Sequence, residues 1–349
     1  MSEIKLTQFS KGGGCGCKIA PSVLQQILKT DNKIPFSSLL VGNESSDDAA
    51  VYMINGEQAI ISTTDFFLPI VDDPFDFGKI AAANSISDVY AMGGTPMMAV
   101  AILGWPIDKI PVDLAQQMLD GARSVCNEAN IPLAGGHTID SNDPIFGLAV
   151  TGTIAIKNLK QNNTAKEGDL IFLTKPIGVG ILSTALKRGV LLPQHYDTLI
   201  NQMTALNKIG EDLGKIKGVH AMTDVTGFGL MGHLVEMADG SDLTAELKYS
   251  SIKKIHGLDE YLKLRTIPDA TSRNWNSYSS KVSFEKGVNV MEAFNLLPDP
   301  QTNGGLLIAV ELNAIDEVKD IISRSGANSF IDPIGKFNVR GEKTISVMN

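Results

Sequence analysis

Cysteine is scarce: three in 349 residues, too few for a disulfide framework. This thiol usage implies a reducing, cytoplasmic setting. Long apolar runs are missing as well. The longest, Ile145 to Ile156, falls short of the ~18 residues a bilayer span requires and contains Gly and Thr, so no membrane partner is expected. The first residues lack the charged-then-apolar pattern of a secretory leader. Excess positive charge is absent: 30 basic residues face 39 acidic ones, and a net charge of −9 repels the phosphates of nucleic acid. No Gly-x-x-x-x-Gly-Lys-Ser/Thr occurs and no kinase signature is present, which leaves a P-loop or protein-kinase site unsupported. What is there is 43% hydrophobic residues in a chain long enough for roughly two domains.

The pattern divides the chain at the polar stretch Lys157–Gly168. Residues 1–18 read as a mobile loop, because four glycines fall among the seven residues Gly12 to Lys18. Residues 19–157 form a first domain. Pro21 opens a helix with Val23, Leu24, Ile27 and Leu28 on one face. Strands are expected at Ala49–Met53, Ala59–Thr64, Met97–Leu103, Ile131–Ala134 and Ile145–Thr153, with helices from Pro74 to about Met92 and at Val112–Ala129. Gly121 is the weak point of the second helix. Residues 158–349 form a second mixed domain. Its strands are placed at Leu170–Thr174, Val219–Thr223, Leu243–Leu247, Gly305–Val310 and Thr344–Met348, and its helices at Leu182–Lys187, Leu199–Leu213, Leu230–Met237 and Ala314–Ser323. Ser250 to Asn295 carries no clear pattern.

Four aspartates sit at element ends among small residues that would let an ion or ligand approach: Asp48, Asp65, Asp88 and Asp224. Asp65 follows an apolar strand, at the carboxyl end where open α/β sheets bind ligands. Asn84 and Asp88, four apart, share a helix face. Any one of them alone is an ordinary cap or turn residue. Together in one cleft they would repel a polyphosphate unless cations intervened. Mg²⁺, which takes oxygen ligands from carboxylates, phosphates and water, is the ion such a site implies.

In Cys15-Gly16-Cys17-Lys18, the lysine and exposed backbone N–H groups would lower a thiol's pKa and make it reactive, and Lys18 would pair with a phosphate oxygen. A solvated tail or a weak Cys-x-Cys metal site are the plainer readings. Cys126 reads as a small buried hydrophobe. In Gly135-Gly136-His137-Thr138, glycines following an apolar strand let backbone N–H groups reach a ligand, though a turn with an incidental histidine is the commoner case. Gly227-Phe228-Gly229-Leu230-Met231-Gly232 matches a dinucleotide fingerprint, but Asp224 just before it is unfavourable beside a pyrophosphate without a metal.

The runs Gly-Cys-Gly-Cys-Lys, Asp-Asp-Ala-Ala-Val-Tyr, Thr-Thr-Asp-Phe-Phe, Asp-Pro-Phe-Asp-Phe-Gly, Ala-Met-Gly-Gly, Leu-Ala-Gly-Gly-His, Thr-Asp-Val-Thr-Gly-Phe-Gly and Asp-Pro-Gln-Thr-Asn-Gly-Gly, in that order from about Leu6 to Val310, resemble the selenophosphate synthetase (selenide, water dikinase) family. The resemblance implies two α+β domains of the aminoimidazole ribonucleotide synthetase-like fold, with mixed sheets, and a homodimer formed through the N-terminal domains. It implies conversion of ATP, selenide and water to selenophosphate, AMP and phosphate. By position, Asp48, Asp88 and Asp224 match magnesium ligands. Asp65, Asp88, Ser45, Ser46 and Asp47 match nucleotide contacts. Gly136, His137 and Thr138 match a contact from the partner subunit. Cys15 matches the reactive position, Lys18 a residue important for catalysis, and Cys17 a dispensable neighbour. Asn303 stands where serine is more usual, with little consequence expected. Two rivals stay open: a sister kinase acting on an amide or thiamin phosphate, which needs no Cys-Gly-Cys loop, and a selenium or metal carrier, which needs no aspartates.

Overall fold

A computed structural model describes residues 4–9, 12–19, 21–29, 36–42 and 47–349. Ser45 and Ser46 lie outside the described residues. The first sheet is built from β1 (Leu39–Val41), β2 (Ala50–Met53), β3 (Gln58–Phe67), β4 (Thr95–Trp105), β5 (Leu133–Asp140) and β6 (Ile145–Ala155). Their order is β1-β2-β3-β6-β4-β5, antiparallel except for the parallel β4–β5 edge. Along β3, Ala59, Ile61, Thr63, Asp65 and Phe67 are buried, while Gln58, Ser62, Thr64 and Phe66 are exposed. That period of two gives the sheet one covered face and one bare face.

Helix α1 (Pro21–Leu28) starts at the proline, but its Val23, Leu24, Ile27 and Leu28 are exposed rather than packed. The covered face of the sheet carries α2 (Pro74–Ala91) and, beyond it, α3 (Val112–Glu128). Asp73 caps α2 by accepting from the Asp76 N–H, and Pro74 fills its first turn. The helix is buried almost throughout because small residues let neighbours close on it from every side. A Cβ on Gly78 would stand 1.8 Å from the Met118 carbonyl oxygen, and one on Gly121 2.0 Å from that of Phe75. Propensity alone would make Gly121→Ala stabilising by about 1 kcal/mol. The close packing of α2 on α3 reverses the sign: a loss of about 1–3 kcal/mol is expected, read as a lower thermal midpoint, and a raised midpoint would contradict it.

The second sheet contains β7 (Leu170–Leu173), β8 (Val219–Asp224), β9 (Leu243–Lys248), β10 (Val282–Phe284), β11 (Leu306–Val310), β12 (Gly335–Val339) and β13 (Ile345–Met348), in the order β10-β13-β9-β12-β7-β11-β8. Every residue of β11 is buried, and alternate residues face two different apolar clusters. Helices cover both faces of this sheet. The short strands β1, β10 and β12 were not expected from the pattern. No described helix is long and apolar enough to cross a membrane.

Three expectations change. Helix α4 spans Val179–Lys187, and the helix expected over Leu199–Leu213 is two, α5 (Pro193–Thr204) and α6 (Ile209–Lys215). The chain breaks because core groups capture the intervening polar atoms. Lys175 Nζ and Asn303 Nδ2 donate to the Ala205 carbonyl, and Asn207 Nδ2 donates to Ser87 Oγ and the Gly304 carbonyl. The turn expected at Gly135-Gly136-His137 is instead the body of β5. His137 pairs with Ile102, and Gly136 is needed because a Cβ there would stand 2.3 Å from the Ala101 carbonyl oxygen. The glycine-rich N-terminal segment, expected to be a free loop, is docked. Leu6 is fully buried, Thr7 donates from N and Oγ1 to Asp72 Oδ1 at 3.0 and 2.6 Å, and the Gly14 N–H donates to the Leu68 carbonyl.

Candidate active site

The aspartates meet where α2 and the start of β2 in the first domain approach β8 of the second. Asp48 precedes β2, Asp65 lies near the end of β3 on its covered face, Asp88 is on α2 and Asp224 ends β8. One carboxylate oxygen from each of Asp48, Asp88 and Asp224 lies within 4.8 Å of the others. Hydroxyls from neighbouring elements hold each carboxylate. Thr223 Oγ1 donates to Asp48 Oδ1 at 2.8 Å, Thr63 Oγ1 to Asp88 Oδ2, and Ser87 Oγ to Asp224 Oδ2. Asn207 in turn donates to Ser87, so Asp224 is oriented through two side chains. Asp48 Oδ2 is shielded from solvent with no hydrogen-bond partner among the described residues.

Crowding and burial make these carboxylates reluctant to ionise. Burial, then Asp224 and Asp88, push Asp48 well above the usual carboxylate range. Burial, then Asp224 and Asp65, do the same to Asp88. Burial raises Asp224 to about 6, moderated by the Ser87 hydrogen bond and Lys18. Three clustered, desolvated acids with an orphaned oxygen, balanced among the described residues by hydroxyl donors and by the ammonium groups of Lys18 and Lys175, form an oxygen donor set suited to a hard divalent cation.

Asp65 joins the cluster through other side chains. Its Oδ2 accepts from Asn84 Nδ2 and lies 3.7 Å from Lys18 Nζ. The Lys18 side chain is 39% exposed. Desolvation opposes its charge, but Asp65, then Cys15, Asp88 and Asp224, raise its pKa and keep it an ammonium. Cys15 is 1% exposed; its Sγ donates to Asn84 Oδ1 at 3.2 Å and its N–H to Thr302 Oγ1 at 3.1 Å. Burial, then Asp65, hold the thiol well above the ordinary thiol range. The lowered pKa expected for Cys15 is therefore not found in this docked state, because desolvation and carboxylates outweigh Lys18. Cys126 is buried as expected.

Gly14 is at φ +55°, and a Cβ there would stand 2.4 Å from Thr302 Oγ1 and 2.5 Å from Ile70 Cδ1. Gly14→Ala is expected to undock the segment, making tryptic cleavage after Lys18 faster by about tenfold. Unchanged cleavage would count against this packing.

The Gly-x-Gly-x-x-Gly run opens α7 (Gly229–Gly240), but its glycines serve packing. A Cβ on Gly227 would stand 2.5 Å from the Cys15 carbonyl oxygen, and one on Gly229 2.6 Å from the Pro298 carbonyl carbon. Asp47 Oδ1 accepts the Asn162 N–H at 2.7 Å. Gly136, His137 and Thr138 sit on the exposed edge strand β5, three strands from β3 and so about 14 Å away. Within one chain they do not join the aspartates. Thr302 and Asn84, which seat Cys15, carried no signal as its partners. Asn303 exceeds its expected turn role. At φ 50° it donates from Nδ2 to the Met203 and Ala205 carbonyls and from its N–H to Asn84 Oδ1.

Comparison with known proteins fits this geometry. Residues 46–154 match the AIR synthase related protein N-terminal domain, and residues 166–347 its C-terminal domain. The chain is 52% identical over 352 residues to the selenide, water dikinase of Aeromonas hydrophila, covering 100% of both. It is 54% identical over 321 residues to that of Photorhabdus laumondii, covering 92% of this chain and 91% of the relative. The chain belongs to the selenide, water dikinase family. Its two-domain fold extends well beyond the selenide, water dikinases. The thiamine-monophosphate kinase of Stenotrophomonas maltophilia superposes with a TM-score of 0.63 at 18% identity, over 95% of this chain and 96% of that one. The hydrogenase maturation protein HypE in complex with ATP superposes with a TM-score of 0.64 at 16% identity, over 99% and 94%.

Proposed function

We propose that the chain makes selenophosphate from selenide, ATP and water, releasing AMP and phosphate, with Cys15 and Lys18 as its catalytic side chains. One observation carries the reading: Asn84 joins the Cys15 thiol to Asp65, beside the cluster Asp48–Asp88–Asp224. A sister kinase would need the acids without that thiol, and a carrier would need the thiol without the acids. The full-length relatives named selenide, water dikinase support the substrate. Fold neighbours solved with ATP or with AMPPCP support the nucleotide.

Asp48, Asp88 and Asp224 would hold Mg²⁺, which when bound neutralises the carboxylates and polarises phosphate oxygens. Asp65 and Asp88, with Ser45, Ser46 and Asp47 on the same stretch, are assigned to the nucleotide. Lys18 balances charge on the phosphoryl oxygens as a point cation. The segment carrying it opens to admit substrates and closes over them, excluding water, and its docking on Asp72, Leu68 and Thr302 supports this. Closed, Cys15 is a neutral thiol that fills the site without adding charge. Gly136, His137 and Thr138 are assigned to a partner's site in a homodimer. The bare face of the first sheet supports this, with Tyr52, Phe66, Met97 and Ile139 exposed. The domains divide as 1–18, 19–157 and 158–349, and the enzyme works in the cytoplasm. Anaerobic chromatography of nucleotides tests the reading. Selenide-dependent formation of AMP is expected, and ADP as the final nucleotide would overturn it.

A further inference from the structure

The docked N-terminal segment has a second side. A cavity of about 200 Å³ lies between Gly12, Gly13 and Gly16 and the second domain, and none of the four aspartates lines it. Among the described residues, Lys187 and Arg188, at the end of α4, and Arg273, on the helix Asp269–Tyr278, line it against one carboxylate, Asp269. The cavity is therefore cationic, in contrast to the acid-lined cleft. It also reaches the reactive segment. Thr302 lines it and accepts the Cys15 N–H, Arg273 Nη2 donates to the Gly16 carbonyl at 2.8 Å, and Cys17 Sγ packs on Gly12.

Hydrogen selenide is a stronger acid than a thiol and is an anion at neutral pH. The aspartate cleft is assigned to the polyanionic nucleotide, whose charge opposes the approach of a second anion along it, whereas a cationic recess raises that anion's local concentration. We propose that this cavity is the vestibule that gathers hydrogen selenide beside the Cys15–Lys18 segment, with Lys187, Arg188 and Arg273 as its attracting charges. The assignment rests on the function proposed above and adds to it a route for the second substrate. Cys17, whose sulfur packs on the lining residue Gly12, serves only as a reporter beside the cavity.

The test is Lys187→Gln with Arg188→Gln, two exposed positions outside the catalytic machinery. The KM for selenide is expected to rise about tenfold, while kcat and the KM for ATP stay within about twofold. A second reading needs no turnover: the ratio of Cys17 alkylation rates with iodoacetate and iodoacetamide, mapped by mass spectrometry, is expected to fall several-fold, more so at low salt. Lys187→Gln alone moves both readings the same way by less, which covers any loss of folding in the double variant. An unchanged KM for selenide, or an unchanged alkylation ratio, overturns the vestibule while leaving selenophosphate synthesis intact. A wild-type protein that consumes no selenide overturns the proposed function and the vestibule's ligand together.

Discussion

Asp224→Asn is expected to reduce selenide-dependent turnover by on the order of 10³-fold and, at the same time, to raise the thermal midpoint of the metal-free protein. The two effects share a cause. Asp224 is 1% exposed, and burial raises it from the ordinary carboxylate value to about 6. A shift of that size corresponds to about 3 kcal/mol of destabilisation once the group is ionised. The sign follows from proton binding. The folded state holds the proton more tightly than the unfolded state, so stability is fully present below the unfolded pKa and is lost as pH rises through about 6. Asp48 and Asp88, also shifted upward by burial and by neighbouring carboxylates, add to that loss as pH rises. Asparagine removes the charge and can still accept from Ser87, so a rise on the order of 5 °C is expected at pH 8, shrinking towards pH 5. Differential scanning calorimetry of metal-free protein across that range measures it. A lower midpoint at pH 8 would mean that these acids are not strained.

Cys15→Ser should lose selenide-dependent AMP formation by about 10²-fold or more, with the KM for ATP little changed. Serine retains a donor for Asn84 Oδ1 and leaves the backbone bond to Thr302 untouched, so the segment stays docked. Retained docking, checked by tryptic cleavage after Lys18, would assign the loss to sulfur rather than to closure. Cys17→Ser is the matched control and should turn over near the wild-type rate. Undiminished turnover in Cys15→Ser would favour a kinase whose acceptor is not selenide.

The chemistry was more legible in the sequence than the geometry that assembles it. Asp48, Asp65, Asp88 and Asp224 stood out by type and by small neighbours, but their convergence depends on contacts such as Thr223 to Asp48, 175 positions apart. No local pattern encodes such a pairing. The same limit hid Thr302, Ser87 and Asn207, and hid that Asn84, singled out for sharing a face with Asp88, would receive the Cys15 thiol. Glycine composition misled in one direction. The run Gly12–Gly16 reads as freedom, whereas Gly14 and Gly227 are there because Thr302 and the Cys15 carbonyl come too close for a Cβ. The strand pattern placed β3 at Ala59–Thr64, inside its actual span Gln58–Phe67, and did not say which face is buried. It placed β5 too short, since two glycines signal a turn unless a neighbouring strand crowds them. The apolar stripe of α1 was read correctly as a stripe, but its face is exposed in the folded chain.

Phosphorus NMR of ATP incubated anaerobically with selenide, Mg²⁺ and the enzyme tests the central claim most directly. The account predicts a new resonance carrying selenium satellites, growing in step with AMP and inorganic phosphate as ATP disappears. ATP converted to ADP and phosphate alone, with no phosphorus bonded to selenium, would contradict it.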